Sequence, residues 1–140
     1  MALRLGELLV SANIITPDQL KEALELQKRE GGRIGSKLIK LGFVTEEKIV
    51  NLLSKQYGVP AINLSEYNID PNIIKLIPKD LAQKHLIIPV TRVGPNLTIA
   101  MADPTNVFAI DDVKFITGYN VEVVVASESA IIEAISKYYG

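Results

Sequence analysis

The 140-residue chain has no cysteine and only one histidine, His85. Without cysteine, neither a disulfide framework nor a thiolate metal site can form. A single histidine also excludes a metal site built from several imidazoles. Apolar residues make up 48% of the sequence, which is enough to bury a core without disulfides.

The sequence also lacks a charged-then-apolar leader and any apolar run long enough to span a bilayer. We therefore expect a cytoplasmic domain that does not insert into the membrane. The net charge is −1, which gives no general attraction to DNA or RNA. Residues 1–60 carry nine basic and seven acidic residues, whereas residues 61–140 carry six and nine. An anionic ligand is therefore expected in the N-terminal part.

The spacing of apolar residues changes near residue 60. Before it, apolar residues recur at helical spacing; after it, short β-rich runs alternate with helical segments. The sequence predicts an α+β fold, with a duplicated helical-hairpin subdomain over residues 1–60. A small α/β subdomain, a short mixed sheet covered by helices, is predicted over residues 61–140.

Capping and turn residues set the predicted boundaries. Asp103-Pro104 is predicted to start a helix, and Gly94-Pro95-Asn96 is predicted to turn a hairpin. Ile131, Ile132 and Ile135 are expected on one face of the last helix. The predicted helices cover residues 4–12, 34–41, 71–76, 79–84, 105–117 and 128–138, with two more starting at Thr16-Pro17 and Thr45, and the strands cover 86–93, 97–102 and 121–125.

An internal repeat relates residues 4–27 to residues 33–56 by a shift of 29 positions without a gap. This agreement indicates duplication of a helix–turn–helix hairpin. A repeated apolar stripe is needed for folding alone, so each Leu, Ile or Val is first a candidate for the core. Packing does not require Arg, Gly and Gln at the same places twice.

The repeated polar residues suit an anionic, base-containing ligand. Arg-x-Gly ahead of a helix offers a guanidinium and free backbone N–H groups, and arginine can also stack on a purine. A glutamine amide can pair with a base edge. A duplicated site suggests a ligand with two similar halves, and a cyclic dinucleotide is such a ligand.

These residues resemble the MshEN domain, which precedes the motor in pilus-extension and type II secretion ATPases and is a receptor for cyclic di-GMP. The repeated pattern is Arg-Leu-Gly, apolar pairs on either side of a Gly, and Leu-x3-Leu-x2-Gln. The second half carries further similar segments at Gln56–Pro60, Met101–Pro104, Asp111-Asp112 and Thr117–Tyr119. The resemblance covers nearly the whole chain and is greatest to the domain of PilB-type pilus motors.

The resemblance implies a cyclic di-GMP site with one half from each repeat. The first half is Arg4, Leu5, Gly6, Leu9, Val10, Leu20, Leu24 and Gln27. The second half is Arg33, Ile34, Gly35, Leu38, Ile39, Ile49, Leu53 and Gln56. Ile34 and Ile49 replace leucines of the pattern, and Asn13 replaces a glycine that Gly42 keeps. Asparagine tolerates positive φ, so we expect the first turn to survive.

The resemblance also implies partners and a location. The domain would regulate a C-terminal motor ATPase of the same protein, and the full-length protein would lie at the inner-membrane pilus machinery. Contacts with pilus or secretion platform proteins are a further possibility. The alternative is a docking module that couples the motor to that platform without binding nucleotide.

Enzymes and DNA-binding proteins fit the sequence less well. The phosphate-loop pattern Gly-x4-Gly-Lys-Ser/Thr is missing, and neither a paired acid nor a nucleophile–base pair emerges. Glu22-Ala23-Leu24 spells a phosphodiesterase signature inside a repeat helix, which we interpret as coincidence. His85 is expected at the edge of the core or on the surface, and Asp103, Asp111 and Asp112 in caps or solvent. A basic face for DNA is also lacking. We expect no catalytic residue, metal or cofactor.

Overall fold

A computed structural model describes residues 4–140 of the chain. The predicted α+β class is confirmed. The helices are α1 (Leu5–Ser11), α2 (Pro17–Glu30), α3 (Ile34–Lys40), α4 (Glu46–Tyr57), α5 (Pro71–Ile74), α6 (Lys79–His85), α7 (Val107–Thr117) and α8 (Glu128–Tyr139), with a 3-10 turn at Leu64–Glu66. The strands are β1 (Ile87–Val93), β2 (Asn96–Met101) and β3 (Asn120–Val125).

Backbone contacts divide the chain into two compact units. The first ends at Leu52, and the second comprises Leu53–Gly140. The division falls inside α4, ahead of the change in sequence periodicity near residue 60.

Threonine caps define the two longer helices that begin in the first unit. Thr16 Oγ1 accepts a hydrogen bond from the backbone N of Gln19 at 3.1 Å, and the Gln19 side chain accepts one from Thr16 N at 2.9 Å. Thr45 Oγ1 accepts from the backbone N of Lys48 at 3.2 Å. These bonds satisfy N–H groups that an α-helix leaves unpaired at its start. Both predicted helix starts are therefore confirmed.

The second unit contains a three-stranded mixed sheet in the order β1-β2-β3. β1 and β2 form the predicted antiparallel hairpin, and β2 pairs with β3 in parallel. Helix α7 makes the crossover that a parallel pair requires. The strand residues without exposed surface include Ile87, Ile88, Leu97, Ile99, Ala100, Met101 and Val125.

Helix α8 covers this core with a narrower face than the sequence predicted. Ile131 and Ile135 are buried, as expected for residues four positions apart. Ile132 is 50% exposed, so its placement on the same face was wrong. It lies one residue, about 100° of helix rotation, away from Ile131.

The predicted start of α7 was early. Asp103 Oδ1 accepts a hydrogen bond from the backbone N of Thr105 at 2.9 Å, which closes a short turn rather than a helix. Asn106 is the residue that caps α7, and its Oδ1 accepts from Ala109 N at 3.2 Å. Gly118 ends the helix in a left-handed conformation with φ of 71°, as predicted.

Candidate ligand site in the helical repeat

The sequence repeat is also a repeat of backbone conformation. Arg4 and Arg33 are the extended N-cap residues of α1 and α3, with φ, ψ of −67°, 154° and −89°, 148°. Each precedes a short helix of the same length, seven residues. Each short helix is followed by a Thr-capped longer helix. The two arginines therefore stand at equivalent places in two copies of one hairpin.

The turns between the helices match as well. Asn13 has φ of 60°, and its equivalent Gly42 has φ of 78°. The backbone N of Asn13 donates to Val10 O at 3.0 Å, and that of Gly42 donates to Ile39 O at 2.9 Å. The expectation that asparagine preserves the turn is confirmed.

The repeated glycines allow close helix packing. A Cβ on Gly6 would lie 2.5 Å from Leu20 Cδ1. A Cβ on Gly35 would lie 3.1 Å from Leu5 Cδ2 and 3.5 Å from Ile49 Cδ1. Leu20 and Ile49 are equivalent residues of the repeat, so both glycines face the same stripe position. Both glycines were predicted only as members of the ligand site, and their packing role was not predicted from the sequence.

Some predicted site residues lie wholly in the core. Leu9 and Leu38 have no exposed surface and pack in a cluster with Ile15, Ala23 and Val44. A side chain without exposed surface can support a site but cannot contact a ligand in this conformation. Leu5, Ile34, Ile39 and Ile49 are partly buried against the same cluster.

Other members of the predicted set line an open groove along α1 and α2. The groove has a volume of about 310 Å³. Val10, Leu20 and Leu24 belong to the predicted set, and Leu24 is 42% exposed. Four lining residues were not predicted: Glu7, Ser11, Pro17 and Lys21. The groove is the candidate site, since its lining combines apolar side chains with the charged residues Glu7 and Lys21.

An ion-pair cluster joins the end of α2 to α3. The Glu30 carboxylate accepts from Lys40 Nζ at 2.9 Å and from Lys37 Nζ at 3.1 Å. Hydrogen bonds from Lys40 and then Lys37 hold the pKa of Glu30 below its usual value. This cluster was not predicted from the sequence. It has no counterpart in the first repeat, because Leu8 and Ser11 stand at the positions equivalent to the lysines.

The predicted polar residues differ in their surroundings. Gln27 Nε2 donates to the backbone O of Gly32 at 2.9 Å, which fixes the amide against the loop between the repeats. Arg4 is exposed and Arg33 is partly exposed. Leu53 and Gln56 lie on the part of α4 that belongs to the second unit, where Leu53 is buried and Gln56 is exposed.

The histidine of the second unit has a structural environment. His85 is 9% exposed, and its Nε2 lies 3.0 Å from Asp112 Oδ2. Its Nδ1 lies 3.4 Å from Asn106 Nδ2. Within residues 4–140, no group of three or more His, Cys, Asp or Glu residues could hold a metal ion. These bonds connect α6 to α7, in agreement with a histidine at the edge of the core.

Comparison with known families gives a match to the MshEN domain over residues 57–140. The chain belongs to the MshEN family. The matched residues begin after the helical repeat, although the repeat carried most of the resemblance noted from the sequence. Relatives and solved structures align with the repeat as well.

Relatives of this chain include type IV pilus assembly ATPases. The chain is 58% identical over 99% of its length to the type IV pilus assembly ATPase PilB of Myxococcus xanthus, and covers 25% of that protein. It is 36% identical to PilB of Thermus thermophilus over 98% of its length and covers 20% of it. The chain thus spans a quarter or less of these relatives. The matched part of the chain is an MshEN domain.

Two solved structures align with almost the whole chain. The structure of MshE with cdg has a TM-score of 0.77 and 36% identity, covering 99% of this chain and 100% of that one. The N-terminal domain of XpsE has a TM-score of 0.78 at 22% identity and full coverage of both, which shows the shared fold. Among the helices of residues 4–140, none has the length and apolarity needed to cross a membrane.

Proposed function

We propose that this MshEN domain binds cyclic di-GMP and thereby regulates the motor ATPase of a type IV pilus or type II secretion system. The observation that carries the proposal is the similarity to MshE with cdg, over nearly all of both chains and at 36% identity. We interpret cdg as cyclic di-GMP. The PilB relatives make a pilus motor the favoured target.

The duplicated hairpin supports a ligand with two similar halves. Each hairpin presents an arginine at the start of its short helix, a buried glycine beneath the stripe and a glutamine late in its longer helix. A cyclic dinucleotide repeats a purine and a phosphate in the same way. The proposed site comprises the repeated residues of both predicted halves. Within it, the buried residues Leu9, Leu38, Gly6 and Gly35 support the side chains that contact the ligand.

Apolar contact has to supply much of the affinity. Micromolar binding corresponds to about −8 kcal/mol, whereas one arginine–purine contact gives about 0.5–2 kcal/mol. Covering one aliphatic side chain contributes about 1.5–3 kcal/mol. Val10, Leu20 and Leu24 lie side by side in the groove and provide such surface.

Isothermal titration calorimetry tests the binding. Cyclic di-GMP added to the domain should bind with micromolar or tighter affinity, whereas cyclic di-AMP and GTP should bind far more weakly. Regulation is tested separately in the full-length protein, whose ATPase rate should change when cyclic di-GMP is added. Heat from all three nucleotides, or from none, would contradict the proposed specificity.

A second candidate function is docking of a protein, and helix α7 favours it. Phe108 is 76% exposed and Phe115 is 90% exposed, seven residues apart on one face. Exposed aromatic residues in a cluster commonly mark protein contacts. If platform proteins bind this face in the cytoplasm, Phe115→Ser should weaken that binding and leave dinucleotide affinity unchanged. Equal binding by the variant would contradict docking through α7.

A further inference from the structure

The lining of the α1–α2 groove includes two opposite charges. Glu7 on α1 and Lys21 on α2 line the groove together with the apolar residues Val10, Leu20 and Leu24. Glu7 is exposed, and within residues 4–140 no hydrogen bond or ion pair engages its carboxylate. The groove therefore combines an apolar surface, an available carboxylate and an ammonium group.

Each of these parts fits one part of a guanine nucleotide. A purine face packs on aliphatic side chains, and a phosphate pairs with an ammonium group. The guanine edge carries N–H donors at N1 and N2, and a carboxylate with two acceptor oxygens can receive both. Adenine has no such pair of donors at that edge. A carboxylate therefore separates guanine from adenine, whereas apolar surface and a cation do not.

We propose that Glu7 determines base specificity in this site by accepting hydrogen bonds from the N1 and N2 groups of one guanine of the ligand. The inference rests on the proposed function, since it requires that the domain bind cyclic di-GMP. It adds a residue outside the repeated set and gives it one role. Lys21 supplies a charge that acts on either dinucleotide.

The two repeats are unequal at these positions. The shift of 29 residues places Ser36 opposite Glu7 and Val50 opposite Lys21. The second repeat therefore has neither the carboxylate nor the ammonium group at the equivalent places. It follows that Glu7 recognises one of the two guanines, the one bound over α1 and α2.

The test compares Glu7→Gln with the wild-type domain by calorimetry, using cyclic di-GMP and cyclic di-AMP. The amide removes one acceptor and the charge while keeping the size of the side chain. We expect cyclic di-GMP to bind about 10- to 100-fold more weakly, the effect of losing charge-assisted hydrogen bonds. Cyclic di-AMP should bind equally or slightly more tightly, because a negative charge has been removed near an anionic ligand.

Opposite responses to the two ligands distinguish recognition from general electrostatics. If Glu7→Gln strengthens the binding of both dinucleotides, or changes neither, the inference is overturned. If wild-type protein does not bind cyclic di-GMP at all, the proposed function fails first, and the two failures are thus distinguishable. Glu22→Gln is a matched charge control, since Glu22 is exposed on α2 and does not line the groove.

A stability measurement and a second Glu7 variant separate folding from binding. Glu7 lies in the first turn of α1, where an acid favours the helix dipole, so the melting temperature of Glu7→Gln is measured beside its affinity. If Glu7→Gln does not fold, Glu7→Asp replaces it, since this variant keeps a carboxylate and should retain a preference for cyclic di-GMP.

The role of Lys21 is tested separately. Lys21→Ala should weaken the binding of both dinucleotides by a similar factor. A loss of affinity confined to cyclic di-GMP would assign base recognition to Lys21 instead.

Discussion

Asn13 holds a left-handed backbone position between α1 and α2, with φ of 60°. Most side chains clash with the backbone there, at a cost of about 1–2 kcal/mol, whereas glycine avoids the clash and asparagine reduces it. The equivalent Gly42 has φ of 78°. One residue thus decides whether the first hairpin keeps the geometry of the second.

Asn13→Ala should therefore lower the free energy of unfolding by about 1 kcal/mol, and Asn13→Gly should leave it unchanged or raise it. Urea unfolding followed by circular dichroism measures both. Gly42→Ala is the matched control at the second turn and should be at least as destabilising. Equal stability of Asn13→Ala and wild type would show that the turn does not constrain this position.

Tyr139 fixes the end of α8 to the segment after α5. Its hydroxyl donates to Ile77 O at 2.8 Å and lies 3.3 Å from Ile74 O. Burial raises the pKa of Tyr139 to about 12, from 10.0 for an ordinary tyrosine. The folded protein thus holds this proton more tightly than the unfolded chain does, so ionisation at high pH opposes folding.

Tyr139→Phe should lower the free energy of unfolding by about 0.5–1.5 kcal/mol at neutral pH, the value of a hydrogen bond between neutral groups. The stabilisation by Tyr139 is fully present below pH 10.0 and is lost as the pH rises toward 12. The difference between variant and wild type should therefore shrink over that interval in urea titrations. A difference that grows with pH would contradict the assignment.

At the scale of elements, the close packing of α1 against α2 at Gly6 also determines the position of a side chain that lines the groove. Gly6 lies beneath Leu20, whose side chain also lines the groove. A methyl group on Gly6 would stand 2.5 Å from Leu20 Cδ1, so Leu20 has to move. The open groove gives that side chain room on one side.

Gly6→Ala is consequently expected to affect binding more than folding. The overpacking cost and the gain of about 1 kcal/mol in helix propensity from Gly to Ala oppose one another, so stability should change by about 1 kcal/mol or less. Affinity for cyclic di-GMP should fall several-fold, because Leu20 is displaced in the groove. Thermal melting and calorimetry on the same preparation compare the two effects, with Gly35→Ala as the milder counterpart. Unchanged affinity with a large loss of stability would contradict this view of Gly6.

Most elements could be predicted because their boundaries depend on neighbouring residues. Thr16, Thr45 and Gly118 cap or end helices through contacts within one turn. The start of α7 could not be predicted as readily, since Asp103 and Asn106 are both good capping residues and only the folded backbone chooses between them. The misplaced Ile132 has a similar origin, because sequence gives the direction of a helix face only to within about one residue.

The repeated residues of the candidate site could be predicted from the sequence, whereas the residues that are not repeated could not. Repetition identified Val10, Leu20 and Leu24, which the fold brings together in one groove. The same signal could not identify Glu7 or Lys21, whose equivalents in the second repeat are different residues. The burial of Leu9 and Leu38 depends on how four helices pack, which a repeat of apolar residues leaves open.

At the scale of the whole molecule, the two hairpins are proposed to act as halves of one site. Arg33→Ala should weaken cyclic di-GMP binding by about 1–3 kcal/mol, the cost of losing a charge-assisted contact. Arg4→Ala tests the equivalent position in the first hairpin. Calorimetry gives the affinities, and thermal melting identifies a structural role: an equal loss of thermal stability would make Arg33 a residue of the fold and not of the site.

The measurement that tests the central proposal most directly is an NMR titration of the ¹⁵N-labelled domain with cyclic di-GMP. One ligand bound by both hairpins should shift amide signals around Val10 and Leu24 in the first repeat and around Ile39 in the second. Both groups should follow the same dissociation constant and saturate at one ligand per domain. An absence of shifts, or shifts confined to the second unit, would contradict a cyclic di-GMP site built from the repeat.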